Sequence, residues 1–195
     1  MKFYLSSKGV GNDYEKLKKI ENKECCLIAN AMDKNPFQKA VIDRESEVLK
    51  HLGFSVTVID LKDYFNKKLN LSSYGLLWVT GGNVFILNMV MQKANFKRSL
   101  EDGFKNGLVY GGYSAGIVVL GNTFEGLDLV DDIEFAKSLY PGLALRPIFD
   151  YFNYVIIPHF ESDHHESNDI DKVVDYLKKK NIKHKAISDG DVIII

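Results

Sequence analysis

The segment Gly112–Gly116 (GYSAG) fits the G-x-S-x-G pattern of a nucleophile elbow, in which a serine occupies a tight turn between a strand and a helix. The turn strains the backbone of the serine, so the residues beside it must be small where strand and helix nearly touch. Backbone N–H groups at the start of the following helix suit a developing oxyanion. The pattern indicates Ser114 as a nucleophile, but it also describes a plain glycine-rich turn.

A nucleophilic serine needs a base, and the chain has five histidines. His159 follows an apolar segment and a proline (IIPH), which places it at the same end of the predicted sheet as Ser114. His164 and His165 lie in the polar loop ESDHHESND and are interpreted as solvated. A metal site made of His159, Asp163 and His164 matches no standard zinc spacing, so we expect no metal and no organic cofactor.

The base in turn needs a carboxylate that orients its ring. Glu161 lies two residues after His159, so the two side chains point the same way if the strand continues. We therefore predict that Glu161 accepts a hydrogen bond from His159 Nδ1. Asp128 and Asp131 lie between Ser114 and His159 in the sequence and remain alternatives for this role.

Two backbone N–H groups are candidates for an oxyanion hole. Ala115, next to the nucleophile, supplies one. Gly82, in the Gly-Gly-Asn turn after an earlier apolar run, supplies the other, because a glycine lets a substrate approach the backbone. Taken alone, this turn is an ordinary one. Its predicted position beside the elbow favours the functional interpretation.

Apolar runs alternate with amphipathic segments along the chain, which predicts a parallel sheet covered by helices. The predicted strands are 2–6, 25–31, 54–60, 74–80, the run before Ser114, and 153–158; the predicted helices are 13–20, 36–52, 84–94, 96–106, the run after Ser114, and 169–180. The order indicates a single α/β domain over 1–195, with three layers and helices on both faces of a mainly parallel sheet. The last segments, 186–188 and 192–195, are interpreted as a hairpin around Asp189 and Gly190.

Charge and composition limit the partners. The net charge of −1 gives no reason to expect a nucleic acid or a membrane. The adjacent Cys25 and Cys26 point to opposite faces of a strand, so we expect reduced thiols in a cytoplasmic protein. The first residues (MKFYLSSKG) lack the apolar region of a signal peptide. The apolar run 193–195 would leave an exposed sheet edge, which favours a natural chain that continues beyond it.

Three segments together resemble one family. VTGGNVFIL, GGYSAGIVVLG and IIPHFE, in this order and at these distances, resemble the S51 peptidases, which include the aspartyl dipeptidases (peptidase E) and the cyanophycinases. The resemblance covers nearly the whole chain and implies a fold similar to the class I glutamine amidotransferase domain, with serine in place of cysteine. It implies that Ser114 is the nucleophile and His159 the base. It also implies that Gly82 and Ala115 form the oxyanion hole and that Asn83 lines the substrate pocket.

The chain departs from the aspartyl dipeptidases in two ways. Counting without gaps, their third triad residue falls on Leu129, beside Asp128, whereas the His-x-Glu spacing after the base resembles the amidotransferase triad. Their arginine after the histidine segment, which meets the acidic side chain of the substrate, has no counterpart in 166–171. Arg146 and Lys172 are possible substitutes. The resemblance therefore does not extend to strict Asp-Xaa specificity.

The leading prediction is a serine peptidase that cleaves short peptides through an acyl-enzyme on Ser114, as a monomer or homodimer. Two alternatives stay open: hydrolysis of another amide or ester, and a non-catalytic binding module that keeps the fold. Class I amidotransfer is disfavoured, because a serine occupies the elbow and the cysteines lie far from it in the sequence.

Overall fold

A six-stranded sheet in the order β3-β2-β4-β5-β1-β8 forms the centre of the computed structural model, which describes residues 1–195. Its strands are parallel except β8, which runs antiparallel to β1 at one edge. A second sheet holds only β6 and β7, which pair in parallel. The strands are β1 (Phe3–Ser6), β2 (Glu24–Ile28), β3 (Ser55–Ile59), β4 (Leu76–Val79), β5 (Val109–Tyr113), β6 (Val155–Ile157), β7 (His184–Ala186) and β8 (Val192–Ile194).

The central strands are buried on both faces, and successive side chains enter two different cores. In β2, Cys25 packs into a smaller core with Trp78, while Cys26 packs into a larger one with Leu77. The two sulfur atoms therefore point apart, and both cysteines are free thiols. This alternation explains why the sequence shows continuous apolar runs rather than alternating ones.

Helices cover both faces of the sheet, as predicted. Their bounds are α1 (Gln38–His51), α2 (Val84–Lys93), α3 (Phe96–Lys105), α4 (Ala115–Val118), α5 (Ile133–Leu139) and α6 (Ser167–Lys179). On one face, α1 buries Leu49 in the smaller core. The other helices contribute to the larger core, and α2 is buried over most of its length, which fits its lack of a polar face.

The C-terminal hairpin prediction is wrong. β7 pairs with β6 in the second sheet, whereas β8 pairs with β1 in the main sheet. The residues around Asp189 and Gly190 therefore connect two sheets instead of turning one strand back on its neighbour. The predicted helix at 13–20 is a 3₁₀ helix, Tyr14–Lys19.

The topology brings several strand ends together at one edge of the sheet. β5 lies between β4 and β1, so the turns that follow these three strands are neighbours. A Cβ atom placed on Gly81, just after β4, would lie 2.8 Å from the Ser114 Cβ. Ligands of parallel α/β sheets bind at this carboxyl edge. No helix of the chain combines the length and the apolar character that a membrane crossing needs.

Candidate active site

Ser114 lies in the turn between β5 and α4 with φ 52° and ψ −126°, a backbone conformation that residues other than glycine rarely adopt. Its backbone N–H donates to the carbonyl oxygen of Ser7 at 3.2 Å, and its hydroxyl does not cap the helix. A Cβ atom on Gly116 would lie 2.3 Å from the Val79 carbonyl oxygen, so only glycine fits there. The elbow therefore presents a hydroxyl group that is free to react.

Gly82 follows β4 with φ +133°, and a Cβ atom there would lie 2.5 Å from the Ala31 carbonyl oxygen. Its N–H donates to no acceptor within the chain. Ala115 is the first residue of α4, so its N–H has no partner inside that helix. The backbone N–H groups of Gly82 and Ala115 thus flank Ser114 and can donate hydrogen bonds to an oxyanion.

Asn83 lines the large cavity in front of Ser114, but its side-chain polar atoms already have hydrogen-bond partners within the protein. Its carboxamide oxygen caps α2 by accepting from the N–H groups of Phe85 and Ile86 at 2.9 and 3.0 Å. Its Nδ2 donates to the Asp132 carbonyl oxygen at 2.9 Å. The side chain fixes the start of α2 behind the Gly82 turn.

His159 is buried just after β6, and it lines the same two cavities as Ser114. Its Nδ1 lies 2.6 Å from Asp189 Oδ1. With Nδ1 bound to a carboxylate, Nε2 is the nitrogen left to take a proton from a nucleophile. A hydrogen bond between serine and base is often long before substrate binds.

Asp189 has several donors around its carboxylate. Oδ1 accepts from His159 and from the Ser7 hydroxyl at 2.9 Å, and Lys8 Nζ lies 3.3 Å from Oδ2. Burial works to raise the pKa of Asp189, but the hydrogen bonds from His159 and Ser7 outweigh it and lower the pKa below its usual value. The carboxylate is therefore ionised at neutral pH and can stabilise an imidazolium.

Ser7, buried at the end of β1, touches all three of these residues. Its hydroxyl donates to Asp189 and accepts from the His159 backbone N–H at 2.8 Å, while its carbonyl oxygen accepts from Ser114 N–H. The residue that directly follows β1 thus contacts the candidate nucleophile, base and acid together.

The prediction that Glu161 orients His159 is wrong, because Asp189 accepts the hydrogen bond instead. The prediction assumed a continuing strand, but β6 ends at Ile157, and both His159 and Glu161 have positive φ values, 61° and 48°. The alternation of side chains along a strand, on which the prediction relied, does not continue through this turn, and Glu161 is exposed. The alternative Asp128 is also exposed, and Asp131 bonds elsewhere.

Sequence reasoning missed Asp189 because it placed this residue in the turn of a hairpin. A usable signal existed: Ser188 and Asp189 follow a short strand, as His159 follows β6. Since β6 and β7 are parallel neighbours, polar residues after both strands meet at one edge.

His164 was also misread as solvated. Its ring stacks on that of His159, with centroids 3.8 Å apart and planes within 5°. Burial, followed by the neighbouring His159 and His165, lowers the pKa of His164 to about 4, so this ring is neutral near pH 7. His165 is exposed, as expected.

Three side chains are candidates for metal ligands: nitrogen or oxygen atoms of His159, His164 and Glu166 lie within 4.8 Å of one another. The two imidazoles stack almost parallel, however. Ring-nitrogen lone pairs lie in the ring plane, so in this arrangement they do not converge on one ion. A metal would require one ring to turn out of the stack.

Two cavities meet at Ser114. The larger, of about 750 Å³, is open and lies between the Ser114 turn and the middle of α1. The smaller, of about 30 Å³, has mainly apolar walls that include Val84, Val118 and Ile170. Neither Arg146 nor Lys172, the proposed substitutes for the dipeptidase arginine, lines either cavity.

Asp131 lines both cavities. Its Oδ2 accepts from the Val84 backbone N–H at 2.7 Å. Burial of the carboxyl group, with a smaller contribution from the nearby Glu166, raises the pKa of Asp131 to about 7.

Comparison with known proteins shows the family and the fold. The sequence model of peptidase family S51 matches residues 12–195. The fold is similar to a crystal structure of a candidate peptidase E from Listeria monocytogenes EGD-e, with a TM-score of 0.77, 19% identity, and coverage of 99% of this chain and 93% of that one. A peptidase from an acI-B1 Actinobacterium is similar with a TM-score of 0.60, 15% identity, and coverage of 88% and 74%. No curated protein matches the sequence.

Proposed function

The chain belongs to peptidase family S51, and on this premise we propose that it hydrolyses short peptides, with Ser114 as nucleophile, His159 as base and Asp189 as the orienting acid. The observation that carries the proposal is the 2.6 Å hydrogen bond between His159 Nδ1 and Asp189, beside a serine on a strained elbow. These residues come from three separate strand ends, so their meeting is a property of the fold and not of a short motif.

In the proposed reaction, His159 Nε2 takes the hydroxyl proton as Ser114 Oγ attacks the scissile carbonyl carbon. The oxygen of the tetrahedral intermediate receives hydrogen bonds from the N–H groups of Gly82 and Ala115. His159 then gives its proton to the leaving amine, and an acyl group stays on Ser114. Water, activated by the same histidine, releases the acid.

Asp189 remains deprotonated throughout this cycle. It holds the imidazole in the tautomer with a proton on Nδ1 and stabilises the positive charge that appears during attack. The neutral ring of His164 covers one face of His159 and limits the positions that the imidazole can take.

A dipeptide library tested on wild type and Ser114→Ala checks the proposal. Replacing Ser114 should lower kcat by on the order of 10⁴ or more, with an intact fold by circular dichroism. Ser72→Ala, at an exposed serine far from the site in sequence, is the matched control and should keep full activity. Unchanged turnover in Ser114→Ala would rule out the mechanism.

A fluorophosphonate probe separates the remaining alternatives. Labelling of Ser114 together with cleavage of esters but not peptides would favour a hydrolase of another substrate class. Absence of labelling in a folded sample would favour a non-catalytic binding module. We also propose a cytoplasmic location, supported by the two free thiols, since reducing compartments keep cysteines unpaired.

A further inference from the structure

We propose that Ser162 is a positioning residue for the proposed base and acid: its hydroxyl holds the backbone of Asp189 so that the carboxylate stays against His159. The inference rests on the proposed peptidase function and extends it to a residue outside the reacting groups. Ser162 is half-buried in the turn after β6, three residues beyond His159, and it lines neither of the two cavities that meet at Ser114.

The Ser162 hydroxyl makes two hydrogen bonds. Its oxygen accepts from the Asp189 backbone N–H at 2.8 Å, and it donates its proton to the Phe160 carbonyl oxygen at 3.0 Å. A hydroxyl group has one proton and two lone pairs, so both bonds can exist together. Since the proton is directed to Phe160, the lone pairs remain for Asp189. Alanine at position 162 would remove the only acceptor that the Asp189 N–H has in the chain.

The turn after β6 therefore contacts Asp189 at two points. His159 Nδ1 bonds to the carboxylate at 2.6 Å, and Ser162 bonds to the backbone N–H of the same residue. With its main chain and its carboxylate both bonded, Asp189 cannot move relative to the base without breaking one of these contacts. A displacement of ~1 Å in a catalytic arrangement can lower a rate by about a hundredfold, so this second contact bears on the reaction.

The same turn is strained, which explains why it needs stabilising contacts. His159 and Glu161 have φ values of 61° and 48°, and residues other than glycine keep such values only where their surroundings fix them. Ser167 stabilises the turn, because its hydroxyl donates to the Ser162 carbonyl oxygen at 2.6 Å and lies 3.2 Å from that of His159. The Ser167 hydroxyl does not bond to Asp189. Ser162 alone of these two serines joins the turn to the acid.

The proton between His159 Nδ1 and Asp189 reports this positioning without any need for turnover. Such a proton resonates far downfield in the NMR spectrum, and 15N-histidine labelling together with its loss in His159→Gln assigns it. Ser162→Ala should shift the resonance upfield or broaden it through exchange with water, whereas Ser162→Thr, which keeps the hydroxyl, should retain it. Ser167→Ala is the matched control and should keep the resonance, even where its Tm falls as far as that of Ser162→Ala.

The reactivity of Ser114 towards a fluorophosphonate probe gives a second readout. The labelling rate should fall by about tenfold to a hundredfold in Ser162→Ala, because the base is held less well, and Ser162→Thr should restore most of it. Should Ser162→Ala fail to fold, Ser162→Cys takes its place, since a thiol is similar in shape and only a weak acceptor.

An unchanged resonance or an unchanged labelling rate in folded Ser162→Ala would overturn the inference and leave the peptidase intact. An equal change in Ser167→Ala would overturn it too, because Ser162 would then act only through the stability of the turn. The proposed function fails separately. A wild type that is not labelled and cleaves no dipeptide, but whose resonance is lost in Ser162→Ala and kept in Ser162→Thr, would refute the peptidase and retain the positioning of Asp189 by Ser162.

Discussion

Two aspartates near the reacting groups have pKa values that move in opposite directions. Asp189 accepts from His159 and Ser7 and lies beside Lys8, and its pKa is lowered despite partial burial. Asp131 accepts one backbone N–H and faces Glu166, and its pKa rises to about 7. The number of donors, rather than burial alone, decides the charge of each carboxylate. Asp189 Oδ1 thus accepts two hydrogen bonds from side chains, whereas Asp131 accepts only one hydrogen bond, from a backbone N–H.

The largest expected effect comes from removing the charge of Asp189. Asp189→Asn should lower kcat by up to about 10⁴, because an amide in this position favours the wrong tautomer of His159. Steady-state kinetics on a cleavable dipeptide measure it. Asp128→Asn, at an exposed aspartate, is the control and should stay near wild type. Equal losses of kcat in both variants would contradict a specific role for Asp189, because an exposed aspartate would then matter as much.

Ser7→Ala tests what the donors around Asp189 contribute. The variant removes one donor to Asp189 and leaves the buried His159 N–H without an acceptor, which should lower the free energy of unfolding by about 1–3 kcal/mol. Because both contacts hold His159 and Asp189 in place, kcat should fall as well. With the Ser7 hydrogen bond lost, the pKa of Asp189 should rise towards its usual value, so the acid limb of the pH profile should move to higher pH.

The control for Ser7→Ala is Ser6→Ala, which removes a neighbouring buried hydroxyl that bonds to the Lys8 carbonyl oxygen instead. It should leave the pH profile in place. A shift of the same size in both variants would mean that Ser7 acts only through general packing of β1.

Asp131→Asn should give the smallest effect, a pH-dependent change in stability. The pKa of Asp131 is higher in the folded chain, about 7, than its ordinary 3.8, so its contribution to stability is full below about pH 4 and is lost as the pH rises through 7. Asparagine does not titrate. The Tm of the variant relative to wild type should therefore increase between pH 5 and pH 8, by roughly 2–4 °C for each kcal/mol involved. A constant difference would show that Asp131 is not perturbed.

The same comparison shows what the sequence can and cannot predict. The turns that hold Ser114 and Gly82 could be predicted because they depend on local features: small residues at a tight turn after an apolar strand. The position of His159 could be predicted because it follows such a strand directly. The mainly parallel sheet with helices on both faces was also predictable, since apolar runs and amphipathic segments alternate along the chain, whereas the order of the strands in the sheet was not.

Asp189 could not be found from local features, because its position depends on which strand β7 pairs with. Pairing with β6 carries the aspartate to His159, whereas a hairpin with β8 would turn it to solvent. Glu161 was chosen on the assumption that side chains two residues apart on a strand point the same way. The positive φ values of His159 and Glu161 interrupt that alternation. The stacking of His164 on His159 likewise depends on the conformation of a turn, which the pattern of apolar residues does not predict.

The central claim is that Asp189, and not Glu161, accepts the hydrogen bond of His159 Nδ1, and proton NMR of 15N-histidine-labelled protein tests it most directly. A proton shared between an imidazole nitrogen and a carboxylate resonates far downfield; the 15N label assigns it to a histidine, and its loss in His159→Gln assigns it to His159. We predict this resonance in wild type and in Glu161→Gln, and its loss or a marked upfield shift in Asp189→Asn. A resonance that survives in Asp189→Asn and disappears in Glu161→Gln would contradict the account.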